Sequence, residues 1–229
     1  MTSVRDRVRA EMIDEIKGVA RQQLTTEGSN LSLRAITREL GMVSSAIYRY
    51  FASRDDLLTA LIIDGYTALA DVVEAADRAI PRTDLAGRFV AVAHAIRHWA
   101  RDHRAEYALL YGSPVPGYVA PQDTVVPVVR ISMVMIEILR DGVASGGLVV
   151  TPNEPVSAPL RRDFTQLLID IDRTEIPPAI LARGLTAWAG LFGAVSFELF
   201  GHSVGITSDY DALFDSQVTL LNRLVGTTD

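Results

Sequence analysis

Apolar residues recur at three- and four-residue intervals along most of the chain, a spacing that predicts helix after helix. Val8, Met12, Ile16, Val19, Ala20 and Leu24 mark a long first helix ending near Glu27-Gly28. Leu33, Ile36 and Leu40 give a short second helix one buried face and leave Arg34, Thr37, Arg38 and Glu39 outside. Gly41 tolerates the left-handed conformation that ends a helix, so the chain can turn sharply through Met42 and Val43. Ser44 is a natural N-cap for a third helix over roughly 45–50, burying Ile47 and Phe51. Ser53 with Asp56 forms a capping-box pattern that opens a fourth helix, carrying Leu57, Leu58, Leu61, Ile62, Leu69 and Val73 toward Pro81. A fifth helix runs from about Asp84 to His103, and a short one holds Tyr107, Leu110 and Tyr111. Prolines and glycines make 112–121 a loop. An apolar helix follows over 125–143, closed by Gly146-Gly147, then a proline-rich loop over 149–159 and a short helix through Phe164, Leu167, Leu168 and Ile171. Pro177-Pro178 opens a helix reaching Gly201, and the last runs from Tyr210 to Val225. The expected class is all-α.

The third helix has an exposed face with chemical character. Ser45, Ala46, Tyr48, Arg49 and Tyr50 have little hydrophobic reason to face water. Hydroxyls and helix N-terminal amides donate to phosphates, arginine reaches guanine acceptors, and alanine contacts a thymine methyl. A glycine turn between two short amphipathic helices, the second so decorated, suits a DNA major groove.

The stretch resembles the DNA-binding pattern of the tetracycline-repressor (TetR) family of bacterial transcriptional regulators. The resemblance rests on Ser32, Ile36-Thr37, Leu40-Gly41-Met42-Val43-Ser44, Ala46, Tyr48-Arg49-Tyr50-Phe51, Ser53-Arg54 and Leu57-Leu58. Thr37 departs from the usual alanine. Met42 either adds a residue between Gly41 and Val43 or displaces the valine, and Arg54 keeps the charge of the usual lysine. The resemblance implies a three-helix DNA-binding domain over 1–52 and a larger helical effector-binding and dimerisation domain over 53–229. The expected DNA contacts are Ser32, Arg34, Ser44, Ser45, Ala46, Tyr48, Arg49, Tyr50 and Arg54.

The helix over 179–201 is apolar almost all round, and two apolar faces need two partners. One can pack within the chain; the other, eased by Gly190 and Gly193, is a candidate subunit interface. In the resembled family the last two long helices pair with their two-fold mates, which implies a homodimer. Leu185, Trp188, Ala189, Phe192, Gly193, Phe197, Phe214, Val218 and Leu221 are the expected interface residues. Two-fold symmetry then sets two reading helices roughly 34–36 Å apart on a palindromic double-stranded operator.

A helical bundle can hold a ligand between helices, in a mainly apolar cavity with a few polar groups. Trp99, Tyr107, Tyr111, Met133 and Ile136 are candidate lining for a small, largely apolar effector, with Arg97 or His98 orienting a polar end. As the resemblance implies, effector binding would move the fourth helix and lower operator affinity, making the protein a ligand-released repressor.

Charge and composition refine this picture. The net charge of -6 argues at first against nucleic acid. Its distribution removes the objection: residues 1–60 hold nine Lys/Arg against eight Asp/Glu, so the acidity belongs to the remainder. Arg34, Arg49 and Arg54 can still make a local basic face, with modest non-specific affinity and steep salt dependence. The absence of cysteine excludes disulfides and thiolate metal sites. No basic-then-apolar leader opens the chain, so a cytoplasmic protein is expected. The most apolar run, 185–200, falls short of the roughly 18 residues of a membrane span, and no membrane association is expected. His94, His98 and Asp102 share a helix face at metal-ligand spacing, but three or four converging ligands are needed and no second cluster accompanies them, so neither metal nor cofactor is expected. No nucleophile elbow, phosphate loop or dinucleotide fingerprint is present; Gly142 to Gly147 follows a helix and lacks the spacing. No catalytic residues are assigned. The rival readings are a helical protein-interaction module without specific DNA binding and, further off, a helical enzyme.

Overall fold

The computed structural model describes residues 3–28, 31–151 and 155–227, and among them regular structure is entirely helical. Nine α-helices follow one another among the described residues: α1 Val4–Glu27, α2 Leu33–Glu39, α3 Arg54–Arg78, α4 Leu85–Asp102, α5 Arg104–Tyr111, α6 Val125–Ala144, α7 Ala158–Asp170, α8 Pro178–Leu199 and α9 Tyr210–Val225. Their ends follow local chemistry. Ser3 and Asp6 form a reciprocal capping box at α1. The Ser53 hydroxyl accepts from the Asp56 amide at the start of α3 (3.0 Å). Ser157 and Asp209 cap α7 and α9, and Pro178 takes the first turn of α8, where a missing N–H costs nothing.

The third predicted helix differs. Ser44 to Ala46 form a turn and Ile47–Arg49 a single 3-10 turn, which has no side-chain cap. The Ser44 hydroxyl therefore does not play the N-cap role expected of it.

The chain divides into two compact units, Met1–Ala68 with Asp102–Val128, and Leu69–Arg101 with Val129–Asp229. This division does not follow a single cut after residue 52. Helix α3 is continuous across Ala68, and α5 with its following loop belongs with the first unit because Ala105, Leu109, Val115 and Tyr118 pack on its core. That core is built on Ile16, Ala20, Leu24, Ile36, Leu57 and Leu58 from the apolar faces of α1 to α3, with Ile47 of the 3-10 turn and Phe51 between α2 and α3. Lys17 and Arg21 of α1 pair with Asp64 of α3 at 2.9 and 2.8 Å.

In the second unit, Phe89, Val92, Ile96, Leu139, Leu181, Leu191, Val195 and Phe214 are buried. Two buried arginines tie its helices. Arg88 is fully buried and reaches Asp77 and Asp141 at 2.7 Å each, joining the end of α3, the start of α4 and α6. Burial opposes its charge, but the two carboxylates outweigh that and hold its pKa above the ordinary value. Arg97 of α4 reaches Glu198 of α8 and Asp211 of α9, also at 2.7 Å. Helix α8 starts well before the apolar run seen in the sequence, and its 22 residues meet the length and apolarity of a membrane span. Ala179, Leu181, Gly184, Ala187, Leu191 and Val195 bury one of its faces in the unit.

Candidate functional site

The segment expected to read DNA follows the end of α2. There the Gly41 amide bonds to the Arg38 carbonyl (3.3 Å) and the Met42 amide to the Thr37 carbonyl (2.8 Å), with Gly41 at φ 65°. This double closure is a Schellman motif, and it satisfies carbonyls that would otherwise end the helix unpaired. Met42 thus supplies the second of the two closing amides of the turn. Thr37, where alanine is usual, is buried and returns its hydroxyl to the Arg34 carbonyl (3.0 Å), so the substitution leaves no unpaired polar group.

Behind the turn, Ile47 and Phe51 are sunk in the core of the first unit. This anchorage fixes which residues face outward: Ser44, Ser45, Tyr48 and Arg49 are exposed, with Ala46 and Tyr50 half-buried beside them. Arg34 is exposed on α2. Six of these follow one another over 44–50 around the buried Ile47, and Arg34 stands apart on α2; the two remaining expected contacts make hydrogen bonds within the domain. Ser32 caps α2, its hydroxyl accepting from the Ala35 amide (3.3 Å). Arg54 donates its Nε to the Leu31 carbonyl (3.2 Å), tying the start of α3 to the start of α2.

Two positioning residues were missed from sequence. Arg9 of α1 donates to the Arg49 carbonyl (2.9 Å) and lies over the Tyr50 ring at 5.3 Å, holding the 3-10 turn from behind. Gln23 is buried and accepts from the Ser32 amide (3.2 Å). Neither has a local signal, since each acts on a residue distant in sequence.

The expected effector residues are not brought to one place. Met133 and Ile136 line a cavity of about 260 Å³ in the second unit, together with Leu181, Leu185 and Trp188. Arg97 cannot orient a guest there, because its guanidinium is committed to Glu198 and Asp211. His98 is exposed. Trp99 is buried but is not among the lining residues. Tyr107 and Tyr111 belong to the first unit, where their rings lie 5.0 Å apart and Tyr111 meets Tyr66 edge-on at 5.9 Å. Burial pushes the Tyr66 and Tyr111 hydroxyls above their ordinary pKa, so both stay neutral. His94 pairs with Asp215 of α9 at 3.2 Å and packs on Phe214, and no group of three potential metal ligands occurs among the described residues.

The expected subunit-interface residues also separate. Phe214 and Val218 are buried in their own chain, since the inner face of α9 packs beneath Arg97, whose guanidinium lies 4.8 Å from the Phe214 ring centre. They are unavailable to a second subunit. Gly190 is used internally as well: a Cβ there would lie 2.7 Å from a methyl of Leu221, whereas at Gly193 it would meet nothing within 4 Å. Leu185, Ala189 and Phe197 are exposed, and Trp188, Phe192, Gly193 and Leu221 are half-buried.

Comparison with known proteins agrees with this geometry. The family described as "Bacterial regulatory proteins, tetR family" matches residues 18–61, and "Tetracyclin repressor-like, C-terminal domain" matches 89–221. The HTH-type transcriptional regulators Rv1816 of Mycobacterium tuberculosis and Mb1846 of Mycobacterium bovis are each 37% identical over 220 residues, covering 95% of this chain and 92% of theirs. Among solved structures, the regulatory protein SCO4313 superposes with a TM-score of 0.73 at 35% identity, covering 96% of this chain and 98% of the other. A tetR-family protein from Rhodococcus RHA1, at 18% identity and a TM-score of 0.65 over 95% and 98% of the two chains, shares the fold. The chain belongs to the TetR family and is a helix-turn-helix transcriptional regulator, outside the enzyme class.

Proposed function

We propose that the protein is a cytoplasmic, homodimeric repressor that holds a palindromic operator through the 44–50 segment and is released by a small, largely apolar effector. The observation that carries the operator reading is the anchored turn: Ile47 and Phe51 are fixed in a core while Tyr48 and Arg49 stand in solvent. Such an arrangement holds reading groups in one register without a long recognition helix. Tyr48, Ser44 and Ser45 donate to phosphates, and Arg49 reads base edges. Arg34 adds a phosphate contact.

Dimerisation is supported by α8 and α9. Only 33% of the most apolar window of α8 is buried within the chain. Phe197, Leu220 and Leu224 remain exposed on the same two helices. An apolar surface so distributed over two adjoining helices suits a two-fold mate.

The test is selection of bound duplexes from a random DNA library with the purified protein, then titration of the selected sequence at several salt concentrations. A palindrome, with log affinity falling linearly in log salt, is the expected result. Weak binding without sequence preference from an intact dimer would favour a protein-interaction module. Arg49→Ala should relax base preference at one position in each half-site, and unchanged preference would remove its reading role.

A further inference from the structure

The cavity of about 260 Å³ in the second unit is made by three helix faces in register. Helix α6 supplies Val129, Ser132, Met133 and Ile136, on one face over two turns; α7 supplies Leu167, and α8 supplies Leu181 and, about two turns on, Trp188. No lining residue is charged, and Ser132 is the only one with a hydroxyl. Ser132 is exposed, as are Val129 and Leu167, whereas Ile136 and Leu181 are buried, so the polar group stands at the mouth and the depth is hydrocarbon.

Water is a poor occupant of such a space, since it needs two to four polar partners. An ionised guest is worse, because nothing in the depth of the cavity compensates a desolvated charge. The volume sets the size: at the ~30 Å³ a water takes in the liquid, it matches a hydrocarbon of about eight to ten carbons. This lies just below the usual ~300 Å³ lower limit of drug-sized pockets.

We propose that this cavity is the effector site and that it selects a neutral aliphatic molecule with one polar end, the chain inside against Met133 and Trp188 and the polar end at Ser132. The site deepens the effector-release reading and rests on it for the consequence at the operator. Helix α8 carries that consequence: Trp188 and Leu185 line the cavity on the same helix that presents Phe197 to the proposed mate.

The experiment uses the full chain with Trp99→Phe, which leaves Trp188 as the sole tryptophan. Its emission is titrated with 1-octanol and with 1,8-octanediol, which differ by a second hydroxyl that would have to enter the hydrocarbon end unpaired. A saturable change is expected, with half-saturation at least about tenfold higher for the diol. Val129→Phe, placed at the half-exposed mouth, should abolish it. Absence of saturation, equal half-saturation for the two alcohols, or survival of the signal in Val129→Phe overturns the site. Should Trp99→Phe fail to fold, the thermal shift of the unaltered protein with each alcohol decides in the same way. Release of the selected duplex is measured in parallel. Binding of 1-octanol without release leaves the cavity's selectivity standing and overturns its role as effector site, whereas release without binding at Trp188 places the effector elsewhere.

Discussion

Side chains that look alike in the sequence carry very different energies once their exposure is known. Arg88 and Arg130 each hold two carboxylates at 2.7–2.8 Å. Arg88 is fully buried, whereas the Arg130 side chain is 35% exposed. Removing Arg88 leaves Asp141 with Arg82 and Arg140 but leaves the buried Asp77 with only Arg82 at 3.8 Å, a change that costs about 3–5 kcal/mol for buried pairs. Removing Arg130 breaks contacts that water replaces, typically about 0–1 kcal/mol. Urea unfolding should therefore show a large loss for Arg88→Met and little for Arg130→Met, and equal losses would contradict this assignment of their roles. Tyr48, proposed to contact the operator, is 56% exposed and has little packing to lose. Tyr48→Ala should weaken operator binding about tenfold, or ~1.4 kcal/mol, with an unchanged melting temperature. A fall in melting temperature would make Tyr48 a support residue.

At the scale of elements, ion pairs between helices give the second unit a defined response to acid. Arg130 bonds hold Glu74 below its ordinary 4.5, Arg88 and Arg140 outweigh the burial that would raise Asp141 and hold it below 3.8, and Arg97 lowers Asp211. Groups depressed in the folded state stabilise it fully above the unfolded value, and the contribution fades as pH falls through the folded value. Stability should thus be flat in these groups above about pH 4.5 and decline below pH 3.8, with Asp141→Asn showing a shallower decline; a decline equally steep in that variant would exclude Asp141 from the acid response. The helices themselves were legible because their apolar periodicity runs to the caps: α1, α3, α6 and α9 lie within a few residues of their predicted spans. The exposed polar face of 44–50 was legible in residue type, but its backbone form was not. Its anchors Ile47 and Phe51 are only four residues apart, and the core they enter holds a 3-10 turn where periodicity suggested a helix. Pairing between distant elements left no such trace. The commitment of Arg97 to Glu198 and Asp211, and the clamp of Arg9 on the turn, depend on contacts across 101, 114 and 40 positions of chain. A sequence pattern shows that a helix has an apolar face, not which neighbour takes it, which is why Phe214 and Val218 looked like interface and proved to be core.

For the whole molecule, DNA recognition and assembly become one question under the proposed two-fold arrangement. A single 44–50 segment offers few base contacts, and each good bidentate contact discriminates by only ~1–3 kcal/mol. Two segments on a palindrome sum their contacts in one binding event, so breaking the dimer removes far more affinity than any single reading residue. Phe197, 56% exposed on α8, is the place to test this without disturbing the core. Phe197→Asp sets a charge where the proposed mate would desolvate it, and such a charge finds no compensation in an apolar interface. The variant should sediment as a monomer and keep its helical signal. Operator affinity should fall by 100-fold or more, about 2.7 kcal/mol. Its affinity for an isolated half-site should match that of one subunit of the unaltered protein. A variant that remains dimeric would move the interface away from Phe197. A monomer that still binds the palindrome at full strength would show that each chain reads its site alone, and the mate on α8 and α9 would then have a purpose other than DNA recognition.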